Sequence, residues 1–260
     1  MTEVALTGGA GRIAGYLRDV DGGLPALGWT LRLIDRDADA DGAAIAGVDL
    51  TADDAIERLT ALFTGCDAVV HLGGIPTESD WPAILATNVD GTFRVLEAAR
   101  RAGVRRVVLA SSNHAVGYHP VVDGPVPGDV AGRPDSFYGV SKVALEALGS
   151  LYADKYGLEV VSLRIGQCAP RPLTTFDLAI WLSPADAVRL VDAALRGPVT
   201  GPATVWGISA NTRGWWDLTG ARALGYRPQD DAERWADHVT PYTGPPDVLG
   251  HDMVATDPLS

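Results

Sequence analysis

The chain has 260 residues, 47% of them hydrophobic and 21% charged, which suits one folded α/β domain with a small appended part. Its 21 basic against 33 acidic side chains leave a formal charge of −12, which argues against a nucleic-acid or anionic-membrane partner. Cys66 and Cys168 are too few for a disulfide framework or a cysteine-built metal site, and no apolar run approaches the ~20 residues that span a bilayer.

Val4-Ala5-Leu6 reads as a first strand with no basic leader ahead of it, so a cytoplasmic protein without a signal peptide is expected. Short aliphatic runs then predict strands at 30–34, 68–72, 107–110 and 160–164. The clearest helical pattern between them covers 82–102, with Asp80 placed to cap it and Pro82 in the first turn. A second runs from Tyr138 to about Tyr156. Apolar runs of this kind suit strands covered on both faces, so the expected fold is a Rossmann-type doubly wound parallel sheet.

The texture changes beyond Ile165. Residues 166–182 carry Pro170 and Pro172 and no clean period, which predicts a loop lining or covering a site. Ser183 is placed to cap a helix with Pro184 at its first position; a strand at 204–208, the pair Trp215-Trp216 and a short helical segment near 230–238 follow. Residues 1–240 thus read as one domain, with a core at 1–165 and a small C-terminal substrate-binding portion at 166–240. The proline-rich, polar residues 241–260 read as an extended or disordered tail.

Thr7-Gly8-Gly9-Ala10-Gly11-Arg12-Ile13-Ala14-Gly15 directly follows the first strand and opens a helix. Glycines let backbone turn tightly against a pyrophosphate, and the helix start supplies free N–H groups and partial positive charge. Asp35 stands 24 residues beyond Gly11, where its carboxylate would accept from adenosine ribose hydroxyls and repel a 2′-phosphate, so NAD is favoured over NADP. Asp49 and Leu50 fit the adenine, although Asp49 reads equally as a solvated loop acid. Leu72, Gly73 and Gly74 end a strand where backbone would pass the cofactor ribose.

Tyr138 and Lys142 lie four residues apart, on one face of a helix. A phenol with an ordinary pKa of about 10 is a poor base, and a nearby ammonium is expected to lower that value. The phenol could then take a proton from an alcohol as hydride leaves its carbon. Ser111-Ser112-Asn113-His114 ends another strand, at the sheet edge where α/β folds bind ligands. One serine hydroxyl there would hold the reacting oxygen, and His114 reads as a substrate hydrogen-bonder or a structural histidine. Asn88, helix-disfavoured, either organises this network or faces water, and His71 reads as core or cofactor-adjacent. No histidine and carboxylate cluster has metal-ligand spacing, so no metal is expected.

With these residues, the chain resembles the extended short-chain dehydrogenase/reductases and, among them, the NAD-dependent uronate dehydrogenases. The likeness rests on His71-Leu72-Gly73-Gly74-Ile75, on Ala110 to His114 through Gly117-Tyr118, and on Tyr138-Gly139-Val140-Ser141-Lys142. Arg164-Ile165-Gly166 with Cys168, Trp181-Leu182-Ser183, Val205-Trp206-Gly207 and Ser209-Ala210-Asn211 through Gly214-Trp215-Trp216-Asp217 extend it. The resemblance implies oxidation of a uronate's anomeric carbon to a lactone, with Ser112, Tyr138 and Lys142 as catalytic triad. It also implies dinucleotide contacts from Gly8, Gly11, Arg12, Ile13, Asp35, Asp49, Leu50, Leu72, Gly73, Tyr138 and Lys142, sugar contacts from Asn113 and His114, and a homo-oligomer of dimer size or larger.

Departures from the family pattern fall at the substrate. Pro76 and Gln167 replace serines, and Phe176 replaces the arginine that pairs with the substrate carboxylate, leaving Arg171 as the cation in that loop. Ala14 replaces the third glycine of the phosphate loop. An NAD-holding sugar epimerase or dehydratase is the alternative enzyme, for which the chain is short by ~50 residues of C-terminal domain on the family resemblance; a cofactor-bound sensor is the non-enzymatic one.

Overall fold

The computed structural model describes residues 2–37, 45–121, 125–245, 247–250 and 253–254. Its strands are β1 (Thr2–Thr7), β2 (Trp29–Asp35), β3 (Ile45–Gly47), β4 (Ala68–His71), β5 (Arg106–Ser112), β6 (Glu159–Ile165), β7 (Gln167–Cys168), β8 (Trp181–Leu182) and β9 (Ala203–Gly207). The helices are α1 (Arg12–Asp19), α2 (Gly23–Ala26), α3 (Ala55–Phe63), α4 (Trp81–Ile84), α5 (Gly91–Ala102), α6 (Phe137–Tyr156), α7 (Asp177–Ile180), α8 (Pro184–Arg196) and α9 (Thr219–Ala223).

Seven strands form one parallel sheet in the order β3-β2-β1-β4-β5-β6-β9. Successive residues of β1 point to opposite faces: Val4 and Leu6 pack with α1 and α8, while Ala5 packs with α3 and α5. Both faces are therefore dry over the middle of the sheet, where the strand residues are mostly apolar, as a sheet covered on both sides requires. The strand order reverses between β1 and β4, which opens a crevice at their carboxyl ends. Ala14 has no exposed surface in that packing, so a methyl group is accommodated where a third glycine was expected.

Helix starts follow the predicted caps. Asp80 accepts from Ala83 N at 3.0 Å, and Ser183 accepts from Asp186 N with Pro184 at the first position. The helix expected over 82–102 is not uniform, however. Between α4 and α5, Leu85–Asp90 forms a π-helical segment, which turns Asn88 into the interior.

Residues 166–182, predicted as a loop, contain more structure. β7 pairs in parallel with β8, Gln167 opposite Trp181 and Cys168 opposite Leu182, and α7 lies between them. Buried tryptophans brace this lobe: Trp181 Nε1 donates to Ala169 O at 2.8 Å, Trp206 Nε1 to Val126 O at 2.9 Å and Trp216 Nε1 to Ala179 O at 2.9 Å. A 3₁₀ helix covers Ala232–His238, close to the expected segment, and α9 and β3 had no distinct signal.

The tail runs back over the sheet edge. Val121 N donates to Asp247 O at 2.8 Å, Leu249 N donates to His119 O at 3.0 Å, and Leu249 is fully buried. Residues 255–260 of the expected tail lie outside the described residues.

Candidate active site

A cleft of about 970 Å³ opens at the carboxyl ends of β1, β2, β4 and β5. All the residues expected to hold a dinucleotide line it: Gly8, Gly11, Arg12, Ile13, Asp35, Asp49, Leu50, Leu72, Gly73, Tyr138 and Lys142. Gly8 has φ +73°, and a Cβ there would stand 2.7 Å from Gly73 N, so only glycine lets the phosphate loop pass β4 this closely. Gly11 N donates to Gly8 O at 3.0 Å, which closes the turn, and α1 begins at the next residue. The Asp35 carboxylate, at the end of β2, is aimed by Ala10 N at 3.0 Å and Arg36 N at 2.7 Å. Backbone and side-chain hydrogen bonds from Thr51 hold Asp49 below the usual carboxylate range. The glycine cradle, the helix start and the two acids fit a dinucleotide.

A smaller pocket of about 230 Å³ adjoins the cleft, and Arg12, Pro76, Ser112, Tyr138, Gly166 and Cys168 line both. Asn113, His114, Gln167, Asp177, Ile180 and Met253 complete it. Phe176 and Arg171, expected at the substrate, line neither cavity. Phe176 turns into an aromatic cluster against Trp215 and Tyr242, and Arg171 is exposed. Two positions therefore leave the list of side chains lining the pocket: an apolar ring is buried and a cation stays in water, as solvation dictates. Gln167 remains, with Oε1 buried and without a hydrogen-bond partner among the described residues.

Tyr138 sits in the first turn of α6, on the stripe it shares with Lys142, Leu145 and Gly149. Ser136 caps this helix by accepting from Gly139 N at 2.9 Å. Glu78 spans its first two amides, accepting from Phe137 N at 3.0 Å and Tyr138 N at 2.8 Å, so a negative charge meets the helix start. Burial pushes the Tyr138 phenol up to about 12, and the Ser112 hydroxyl draws it back only in part. Burial outweighs the lowering expected from Lys142, whose Nζ lies 5.3 Å from the ring centroid and donates to Ala110 O at 2.8 Å. Burial also brings Lys142 down to about 8, against the pull of Glu146.

The two adjacent serines separate by partner. Ser111 Oγ donates to Glu146 Oε1 at 2.6 Å, and Glu146 takes a two-pronged ion pair from Arg164 at 2.8 Å on each arm. Ser112 lines both cavities and Ser111 only the cleft, which favours Ser112 as the third member of the triad. Asn113 Nδ2 donates to Leu249 O at 3.0 Å, so the side chain expected on the sugar ties down the tail. Asn88 spans three elements: it accepts from Ile75 N at 2.8 Å and donates to Ile75 O at 3.1 Å and Ser141 Oγ at 3.0 Å.

His71 is core. Its Nδ1 lies 2.7 Å from Thr7 Oγ1, and full burial brings its pKa down to about 3, so it stays neutral. Cys168 faces both cavities as an inert thiol, pushed up to about 12 by burial. Four contributors had escaped sequence reasoning: Glu78, Asp135, Leu249 and Met253. Only the acid of Asp135-Ser136, just ahead of the Tyr138 helix, offered a local signal.

A dinucleotide cleft that meets a polar pocket at a buried tyrosine, lysine and serine defines a nicotinamide-dependent oxidoreductase of the short-chain dehydrogenase type. Residues 4–172 match the model of the NAD dependent epimerase/dehydratase family. The chain is 46% identical over 189 residues to the uronate dehydrogenase of Agrobacterium fabrum, covering 73% of this chain and 71% of that protein. It is 38% identical over 204 residues to the L-arabinose 1-dehydrogenase (NAD(P)(+)) of Haloferax volcanii, covering 68% of this chain and 79% of that one. A crystal structure of a uronate dehydrogenase variant from Agrobacterium tumefaciens complexed with NAD superposes with TM-score 0.87 at 37% identity, over 99% of this chain and 98% of that chain. The chain belongs to the NAD dependent epimerase/dehydratase family.

Among the described residues no helix is long and apolar enough to cross a membrane, and no group of three metal-ligating side chains assembles.

Proposed function

We propose that this protein oxidises the anomeric hydroxyl of a hexuronate or a related aldose to the lactone, with NAD as acceptor. The observation that carries this is the meeting of the 970 Å³ cleft and the 230 Å³ pocket at Ser112 and Tyr138. NAD, when bound, supplies the acceptor for the hydride that leaves the anomeric carbon. Tyr138 Oη takes the hydroxyl proton, Ser112 Oγ holds the same oxygen, and Lys142 places a positive charge beside the forming phenolate. Gln167 Oε1, buried without a partner among the described residues, is supplied with one by a sugar hydroxyl. The likeness to uronate dehydrogenases supports the reaction; a cytoplasmic homo-oligomer is part of the same proposal, and sedimentation tests its size.

The test is NADH absorbance with galacturonate, glucuronate, galactose, glucose and arabinose. Turnover of uronates supports the reading; no NADH with any sugar ends it. Activity confined to neutral aldoses would select a second reading, which the burial of Phe176 among aromatics favours. In that case Arg12, shared with the cleft, is the guanidinium lining the pocket, and no second one joins it among the described residues.

Two further outcomes are expected. Asp35→Ala should weaken NAD by about 10- to 100-fold and narrow the NAD over NADP preference, because a hydrogen-bonded carboxylate is worth about 1.5–3 kcal/mol. Competitive titration of both dinucleotides measures this, and an unchanged preference would remove Asp35 from cofactor selection. The oxidation rate should also climb up to about pH 8 and level off above it. Tyr138, pushed up to about 12, must lose a proton to act as base, so the competent form grows as pH rises, and above about 8 loss of the Lys142 ammonium offsets that growth. A profile falling as pH rises toward 8 would contradict the assignment.

A further inference from the structure

The chemistry above leaves a buried pair unexplained. His114 Nδ1 stands 2.9 Å from Asp135 Oδ2, and the Asp135 side chain has no exposed surface. An ionised carboxylate only accepts, so Nδ1 carries the hydrogen, and the neutral form of the ring then presents Nε2 as a lone pair. That ring lines the small pocket and meets Tyr138 edge-on, 5.9 Å between centroids. The His114 N–H donates to Ser112 Oγ at 3.2 Å, which ties the pair to the triad.

Asp135 is held more firmly than a surface acid needs to be. Ser136 Oγ donates to its second oxygen at 2.8 Å. A Cβ at Gly117 or at Gly250 would each stand 1.8 Å from Asp135 Oδ2, so backbone closes on the carboxylate from two sides. Gly250 belongs to the tail segment that Asn113 anchors through Leu249 O. In such a dry setting the carboxylate–imidazole bond strengthens and the ring has one orientation.

We infer that Asp135 is a positioning residue. It fixes His114 as the Nδ1–H tautomer, so that Nε2 accepts a hydrogen bond from a second sugar hydroxyl, next to the one that gives its proton to Tyr138. The site thereby selects a polyol with two adjacent hydroxyls over an aldose lacking the second. This rests on the dehydrogenase reading above, and the experiment separates the two.

Long-range ¹H–¹⁵N NMR of the full-length wild type should show His114 as the Nδ1–H tautomer, and Asp135→Asn should shift it toward Nε2–H. In steady state, Asp135→Asn should raise the sugar KM about 10- to 100-fold, as loss of an orienting partner does elsewhere, with kcat within about 3-fold and NAD affinity unchanged. In a His114→Ala background the same substitution should add less than about 2-fold, because it acts only through the ring. An Nε2–H tautomer in the wild type overturns the inference, and so does a full Asp135→Asn effect without His114. The wild-type spectrum needs no variant, so it decides the tautomer even if Asp135→Asn does not fold. A chain that oxidises no sugar but shows Nδ1–H sinks the dehydrogenase reading and supports the tautomer.

Discussion

Tyr138→Phe is expected to lower kcat about 1,000-fold while changing NAD affinity less than about 2-fold, within the range that a positioned acid–base group contributes. The substitution removes one oxygen and leaves the packing alone. The ring stays held by Glu78 and the Ser136 cap at the start of α6, and by the His114 edge. Buried tyrosines lose little shape on becoming phenylalanine, so thermal unfolding should hardly move. What disappears is the atom that takes the proton, and with it one hydrogen-bond partner of Ser112. NADH production and a fluorescence titration of NAD measure the two quantities. A variant within about 10-fold of wild type would mean that another group serves as base.

The second large effect concerns stability. Arg164 is 3% exposed, pairs with Glu146 through two nitrogens and donates to Val130 O at 2.8 Å. Arg164→Met leaves the largely buried Glu146 carboxylate with the Ser111 hydroxyl as its one remaining hydrogen-bond donor among the described residues. Breaking a buried pair from one side costs about 3–5 kcal/mol, a large fraction of the roughly 5–15 kcal/mol that keeps a domain folded. Urea unfolding should show it as a lowered midpoint at unchanged slope. Adding Glu146→Gln should restore most of the loss, since the stranded charge is the larger part of it. Full stability of the single variant would show that water reaches Glu146.

Much of this was legible along the chain because its causes are local. The phosphate loop needs glycines beside one another, Asp35 follows directly from a strand end, and Tyr138 and Lys142 share a helix face by spacing alone. Helix caps at Asp80 and Ser183 were legible for the same reason. Residues that answer to distant partners were not. Asp135 meets His114 across 21 positions, and Glu78 caps a helix that begins 59 residues later. The tail is polar and proline-rich, so composition pointed to an extended or disordered arm, yet one buried leucine and backbone carbonyls anchor it. The upward shift of Tyr138 is not legible from spacing, which reports a nearby ammonium and is silent about the desolvation that dominates here. Phe176 was expected in the pocket from its place in a pattern, and packing against Trp215 and Tyr242 decided otherwise.

The π-helical segment at Leu85–Asp90 has a consequence for how this stretch tolerates length changes. Each residue advances an α-helix by about 100°, so removing one amino acid here would restore regular winding and swing Asn88 off Ile75 and Ser141. The loop after β4 and the helix bearing Tyr138 would then part company at a point that contacts no sugar. Substitutions along this segment are forgiven or not by their chemistry, but its count is fixed: an indel would dismantle the site that a point change merely adjusts.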